Sequence, residues 1–146
     1  MEKKEFKITI DAPREQVWQI LWDDATYPKW TTIFGEGSRA ETDWKEGSKA
    51  LFLSATGDGM LSRVVANRPY ECMAFEHLGE VKDGQEYLDS ELAKQWAGAI
   101  ETYTLENADG KTVLTVVMDI ADEHMDYFLS TWPKALEKVK ELSEEN

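Results

Sequence analysis

The last two dozen residues constrain the fold more than any other part of the chain. From Asp122 to about residue 142, Met125, Phe128, Trp132, Ala135, Leu136 and Val139 recur at helical spacing, with Glu137, Lys138, Lys140 and Glu141 on the opposite side. Asp122 is placed to cap such a helix. Pro133 lies inside it and removes the hydrogen bond to the carbonyl of Leu129, which predicts a bend. A single helix of this length must bury its apolar stripe. The only partner in the chain long enough to receive it is a sheet.

Strand patterns supply that sheet. Phe6, Ile8 and Ile10 alternate with Lys7 and Thr9 as a half-buried strand. Asp11-Ala12-Pro13 then opens a helix, with Asp11 or Ala12 as the cap and Pro13 in the first turn, where its missing amide hydrogen is not needed. Val17, Trp18, Leu21 and Trp22 continue at helical spacing, and Tyr27-Pro28 begins a short second helix ending near Trp30. Residues 48–55, 60–66 and 72–81 read as strands separated by Thr56-Gly57-Asp58-Gly59 and Asn67-Arg68-Pro69. A polar stretch over 82–95 is partly helical in pattern, from Glu86 to Trp96. Strands follow over 97–105 and 111–120, joined by Asn107-Ala108-Asp109-Gly110 as a hairpin. The expected fold class is therefore α+β: a curved antiparallel sheet of about six to seven strands wrapped around the long C-terminal helix, with two short helices after the first strand. With no repeat, low-complexity tract or linker, residues 1–146 read as one domain.

Composition excludes several functions. With 42% apolar residues and a mean hydropathy of −0.53 the chain reads as globular. No apolar run approaches the ~20 residues of a membrane helix, so no membrane insertion is expected. The N-terminus enters strand alternation without an apolar leader, and Cys72, the single cysteine, has no disulfide partner within the chain. Both suit a cytoplasmic protein. The formal net charge of −13 repels phosphate backbones, which argues against nucleic acid.

Two histidines, His77 and His124, and one cysteine give no metal-ligand spacing, so neither a metal nor a cofactor is expected. His124, between Glu123 and Asp126 in sequence, reads as part of a solvated helix start. Cys72 reads as a small buried hydrophobe rather than a nucleophile. No nucleophile elbow or phosphate-cradling loop is present. Six Trp, five Tyr, five Phe and five Met are many bulky side chains for 146 residues. Core packing accounts for most of them, and an enclosed pocket lined by such groups is the sharper reading.

Several local patterns carry a resemblance. They are Ile10-Asp11-Ala12-Pro13 with Val17-Trp18 and Tyr27-Pro28-Lys29-Trp30; Arg68-Pro69 with Met73 and Phe75; Asp109-Gly110-Lys111-Thr112 with Leu114 and Val116; and the C-terminal helix. In this order the chain resembles the superfamily that includes START lipid-transfer domains, birch-pollen-allergen-like proteins and polyketide cyclases (SRPBCC). Within it, the chain resembles the branch named after activators of a heat-shock-protein ATPase. The resemblance implies a helix-grip fold with a cavity between sheet and helix. It does not select among the binders, cyclases, hydrolases and co-chaperones that share the scaffold. The chain departs from the common pattern at Ser130-Thr131-Trp132-Pro133, where a Gly-Trp pair is frequent, and in the long acidic insert over 84–95.

Candidate site residues follow from which way the strands face. Met73, Phe75 and His77 share a face that the resemblance turns inward. His77 is then a ligand-orienting donor or a general base; the alternative is a satisfied or rim-exposed histidine. Glu101 depends on hairpin register. A four-residue loop over 107–110 pairs Tyr103 with Leu114 and Glu101 with Val116, turning Glu101 inward, whereas a three-residue loop with a bulge turns it outward. Alternation of Tyr103 and Leu105 with Thr102 and Thr104 favours the first.

The expected ligand-binding set is Phe52, Phe75, His77, Glu101, Tyr103 and Val116 from the sheet, facing Phe128, Trp132 and Ala135 of the helix. It would hold a small apolar or amphipathic molecule. The rival readings are a cyclase- or hydrolase-like enzyme using Glu101 and His77 as acid and base, and a chaperone-cofactor module that binds a chaperone or other protein through its acidic exterior. The expected state is a monomer or weak dimer.

Overall fold

The computed structural model of the protein describes residues 1–145. Strand β1 (Glu2–Ile10) leads into helices α1 (Arg14–Trp22) and α2 (Tyr27–Trp30) and a 3-10 turn, Thr31–Phe34. Strands β2 (Arg39–Glu41), β3 (Lys49–Leu53), β4 (Gly59–Arg68), β5 (Cys72–Lys82) and β6 (Gln85–Tyr87) follow. Helix α3 (Glu91–Trp96), strands β7 (Ile100–Ala108) and β8 (Lys111–Ile120), a second 3-10 turn (Asp122–His124) and helix α4 (Met125–Glu144) complete the chain.

The eight strands form one antiparallel sheet in the order β1-β8-β7-β5-β4-β3-β2, with β6 added against β5. This is the helix-grip arrangement, one long helix seated against a curved sheet. Strands β2 and β6, of three residues each, are too short to declare themselves by alternation. The β4–β5 ladder shifts register between Leu61 and Ser62 and again between Val64 and Ala66. Such bulges bend a sheet and increase its twist.

Helix α4 lays Trp132, Ala135, Leu136 and Val139 into the core, where each is at most 3% exposed. They meet Leu114, Val116 and Ile120 of β8 and Val17 and Leu21 of α1 in one continuous apolar cluster. Removing a single large side chain from such a cluster costs ~2–5 kcal/mol. Pro133 lies within α4, and the helix continues across it as one element; Leu129, whose carbonyl loses a donor to the proline, is exposed.

Local chemistry departs from expectation at four points. The first helix starts one residue later than anticipated, with Pro13 in the cap position and no side-chain cap. The amide of Asp11 instead donates to Glu144 Oε2 at 2.8 Å, which fastens the start of α1 to the end of α4. Asp122 does not cap α4 but opens the 3-10 turn before it. The anticipated helix over 86–96 is a short strand followed by α3, which Ser90 caps by accepting from the Ala93 amide at 3.1 Å.

The fourth departure concerns the β7–β8 hairpin. Its connection is a two-residue turn at Asp109-Gly110, not a four-residue loop: Ala108 pairs with Lys111, and both turn residues have positive φ (55° and 85°). Asp83-Gly84 makes the same kind of turn between β5 and β6, with φ of 52° and 75°. These are the conformations that match the right-handed twist of the flanking strands. Glu101 therefore pairs with Met118 and Tyr103 with Val116, two residues from the expected partners. A slip of two preserves the side of the sheet on which each side chain lies.

No helix among the described residues is long and apolar enough to cross a membrane.

Candidate functional site

A cavity of about 360 Å³ opens between the concave face of the sheet and the helices. Trp22, Tyr27 and Trp30 form one side of its lining, and Phe34, Phe128 and Trp132 another. Phe52, Phe75 and Tyr103 form the sheet side. The rings pack edge to face: Trp22 on Tyr103 with centroids 4.8 Å apart, Phe52 on Phe75 at 5.0 Å, and Phe34 on Trp132 at 5.1 Å. These are favoured aromatic geometries. The indole N–H groups of Trp22 and Trp132 have no hydrogen-bond partner among the described residues.

One polar cluster interrupts this lining. Ser62 faces His77 directly across the β4–β5 ladder, and their side chains meet at 2.7 Å (Oγ to Nδ1). His77 Nε2 lies 3.1 Å from Glu101 Oε1, and the Tyr103 hydroxyl donates to Glu101 Oε2. A carboxylate only accepts, so Nε2 carries a proton. In the neutral imidazole Nδ1 then accepts from the Ser62 hydroxyl. Backbone bonds fix the histidine at both ends: its N–H donates to Ala99 O at 2.9 Å, and its carbonyl accepts from Gly98 N at 2.8 Å. His77 is 5% exposed and Tyr103 2%.

Burial is the main cause that raises the Tyr103 phenol well above its ordinary range, and the Glu101 carboxylate beside it adds to the effect. Tyr27 is raised in the same way, by burial first and then by the charge of Glu101. Tyr27 is partly exposed as a residue, and part of its surface lines the cavity.

Of the residues anticipated from sequence, Phe52, Phe75, His77, Glu101, Tyr103, Phe128 and Trp132 all line this space. Val116 and Ala135 do not: both are fully buried in the core away from the lining. The two-residue turn is the reason for Val116, because it brings Met118 rather than Val116 beside Glu101. His124 stands at the start of α4 as expected, but it is half-buried rather than fully solvated. Its Nε2 meets Gln95 Oε1 at 2.8 Å and its ring lies edge-on to Phe128 at 6.2 Å, at the side of the cavity. Sequence reasoning also missed Trp22, Tyr27 and Trp30 as lining residues. Their helical spacing showed that they were buried but not against what.

Among the described residues no group of three or more His, Cys, Asp or Glu side chains is arranged to hold a metal ion. The chemistry available at the cluster is hydrogen bonding and proton exchange among an imidazole, a carboxylate and a phenol.

Solved structures with the same fold include protein MLL2253 from Mesorhizobium loti, at 15% identity and a TM-score of 0.77, covering 99% of this chain and 98% of that one. Protein CV1439 from Chromobacterium violaceum matches at 21% identity and a TM-score of 0.70, over 97% and 96% of the two chains. The Aha1 dimer from Colwellia psychrerythraea matches at 18% identity and a TM-score of 0.72, over 96% and 94%. Among curated proteins none matches the chain. The family model described as Activator of Hsp90 ATPase homolog 1-like protein matches residues 11–144, and the chain belongs to that family.

Proposed function

We propose that this protein binds a small apolar or amphipathic molecule in the cavity between the sheet and α4. The observation that carries this reading is an unfilled space of about 360 Å³ lined by aromatic rings, with one polar cluster, His77–Glu101–Tyr103, set into it. That volume lies within the ~300–1,000 Å³ of small-molecule sites, and such sites combine an apolar lining with a few convergent polar groups. Apolar burial supplies the affinity, and the cluster fixes orientation. The protein acts as a cytoplasmic monomer or weak dimer.

Nile red, an uncharged apolar fluorophore, tests this. Saturable uptake by the folded protein at about one site, weakened by Phe75→Trp, supports the reading. Absence of any saturable uptake sinks it, and then the chaperone-cofactor reading, in which the acidic exterior meets another protein, takes its place.

A second reading rests on the same cluster. Imidazole, carboxylate and phenol within hydrogen-bond reach of one another beside a desolvated space form an acid–base set, and a cyclase- or hydrolase-like reaction would use Glu101 and His77 for proton transfer. Turnover lost in both Glu101→Gln and His77→Gln, with ligand binding retained, would favour it.

A further inference from the structure

The charge of the cavity selects among amphipathic ligands. Among the described residues no lysine or arginine lines it, whereas Glu101, Asp58 and Asp119 do. Asp119 is neutralised at the rim by Lys3 at 3.0 Å, and Asp58 accepts from the Asp83 amide at 3.0 Å. Glu101 differs. Its side chain is 17% exposed, and its hydrogen-bond donors are the imidazole of His77 and the phenol of Tyr103. Among the described residues no lysine or arginine lies within ion-pair distance of it, and its basic neighbour is the His77 imidazole. Each carboxylate oxygen has accepted one of these hydrogen bonds and keeps a further acceptor position. In a weakly screened interior a carboxylate disfavours a ligand anion and attracts a cation. The rings around it act in the same sense, because aromatic faces carry negative potential and hold organic cations.

We infer that the ligand is an amphiphilic amine: a protonated nitrogen donates to Glu101, and an apolar body packs against Trp22, Phe75 and Trp132. This rests on the proposed binding function and deepens it. It also excludes the fatty-acid class, whose carboxylate head would meet Glu101 with like charge.

Three probes of one chain length separate the possibilities: decylamine, decanol and decanoate, titrated calorimetrically below their micelle thresholds at pH 7.5. The protein's net charge of −13 attracts any cation, so the titrations are run in ~0.5 M NaCl, where screening reduces charge effects at the exposed surface to a few ångströms. The expected order is decylamine about tenfold or more tighter than decanol, with decanoate weakest. Glu101→Gln should bring the amine to within about twofold of the alcohol while leaving decanol binding in place.

Decanol binding without an amine preference overturns the inference and leaves the binding function standing. So does a preference that survives Glu101→Gln. Failure of all three probes with Nile red still taken up overturns the inference and leaves the binding function standing; failure of Nile red as well removes both. If Glu101→Gln does not fold, nuclear Overhauser contacts in the wild-type complex decide. Contacts from the methylene next to the nitrogen to the rings of His77 and Tyr103 uphold the inference, and contacts confined to surface residues overturn it.

Discussion

Replacing Tyr27 and Tyr103 together by phenylalanine should flatten the loss of stability at alkaline pH. Both phenols are raised above the ordinary value, by burial first and then by the Glu101 carboxylate. Below pH ~10 the folded and unfolded chains both keep these protons, and the pair contributes no pH dependence. Above it the unfolded chain releases protons that the folded chain retains. The unfolded state then binds fewer protons, so stability falls as pH rises, by ~1.4 kcal/mol per unit for each phenol. The pair together steepens the wild-type profile by up to ~2.7 kcal/mol per pH unit, approached as the unfolded phenols become fully ionised and lasting until the folded phenols themselves ionise. Removing the Tyr103 hydroxyl also deletes its hydrogen bond to Glu101, worth ~1.5–3 kcal/mol for a charged acceptor. That loss lowers the curve at every pH and leaves the slope to report the protons. Urea unfolding from pH 10 to 11.5, on wild type, both single variants and the double variant, separates intercept from slope. A wild-type slope within ~0.5 kcal/mol per unit of the double variant would refute the argument. The two phenols would then ionise as readily in the folded protein as in the unfolded one.

Trp132→Ala should lower stability by ~3–5 kcal/mol in denaturant titration, because the ring is buried against Phe6, Trp30, Phe34 and Tyr103. A change within ~0.5 kcal/mol, the range of surface sites, would contradict that placement. Ser62→Ala leaves His77 Nδ1 without its partner and should cost ~1–3 kcal/mol at neutral pH by the same measurement. Gly59→Ala should be disruptive, since an added Cβ would lie 1.9 Å from the Phe52 carbonyl oxygen and force β3 and β4 apart. Amide exchange should quicken along both strands, and unchanged protection would show that the backbones have room to part.

The periodicities that reach across many residues were legible without coordinates. The stripe of α4 and the alternation of β1 each repeat often enough to survive local error. The hairpin shows what happened when a local inference failed. Asn107-Ala108-Asp109-Gly110 admitted several turns, and the tightest one moved the pairing by two residues. Strand alternation has a period of two, so Glu101 still faces the cavity while Met118 takes the place expected for Val116. Tyr27 and Trp30 were invisible as lining residues for another reason. Their position depends on how a four-residue helix docks against distant strands, and no spacing within Tyr27-Pro28-Lys29-Trp30 encodes that. The cavity volume was equally unreadable, because it is a small remainder left after large side chains have packed.

The pairing of β1 with β8 also has a consequence in time. Glu2 meets Ile120 and Ile10 meets Thr112, so β1 pairs with a strand that is synthesised about a hundred residues after it. At ~5–20 residues per second of synthesis, β1 waits ~5–20 s before that partner exists. For that interval Phe6, Ile8 and Ile10 belong to an unpaired strand, the kind of segment that joins other chains. Lys3, Lys4 and Lys7, placed between and before those residues, keep the nascent strand charged while it is unpaired. Pairing of β1 thus comes after β8 is made, and a nascent chain halted before residue 112 would leave β1 exposed to any protease or chaperone at hand.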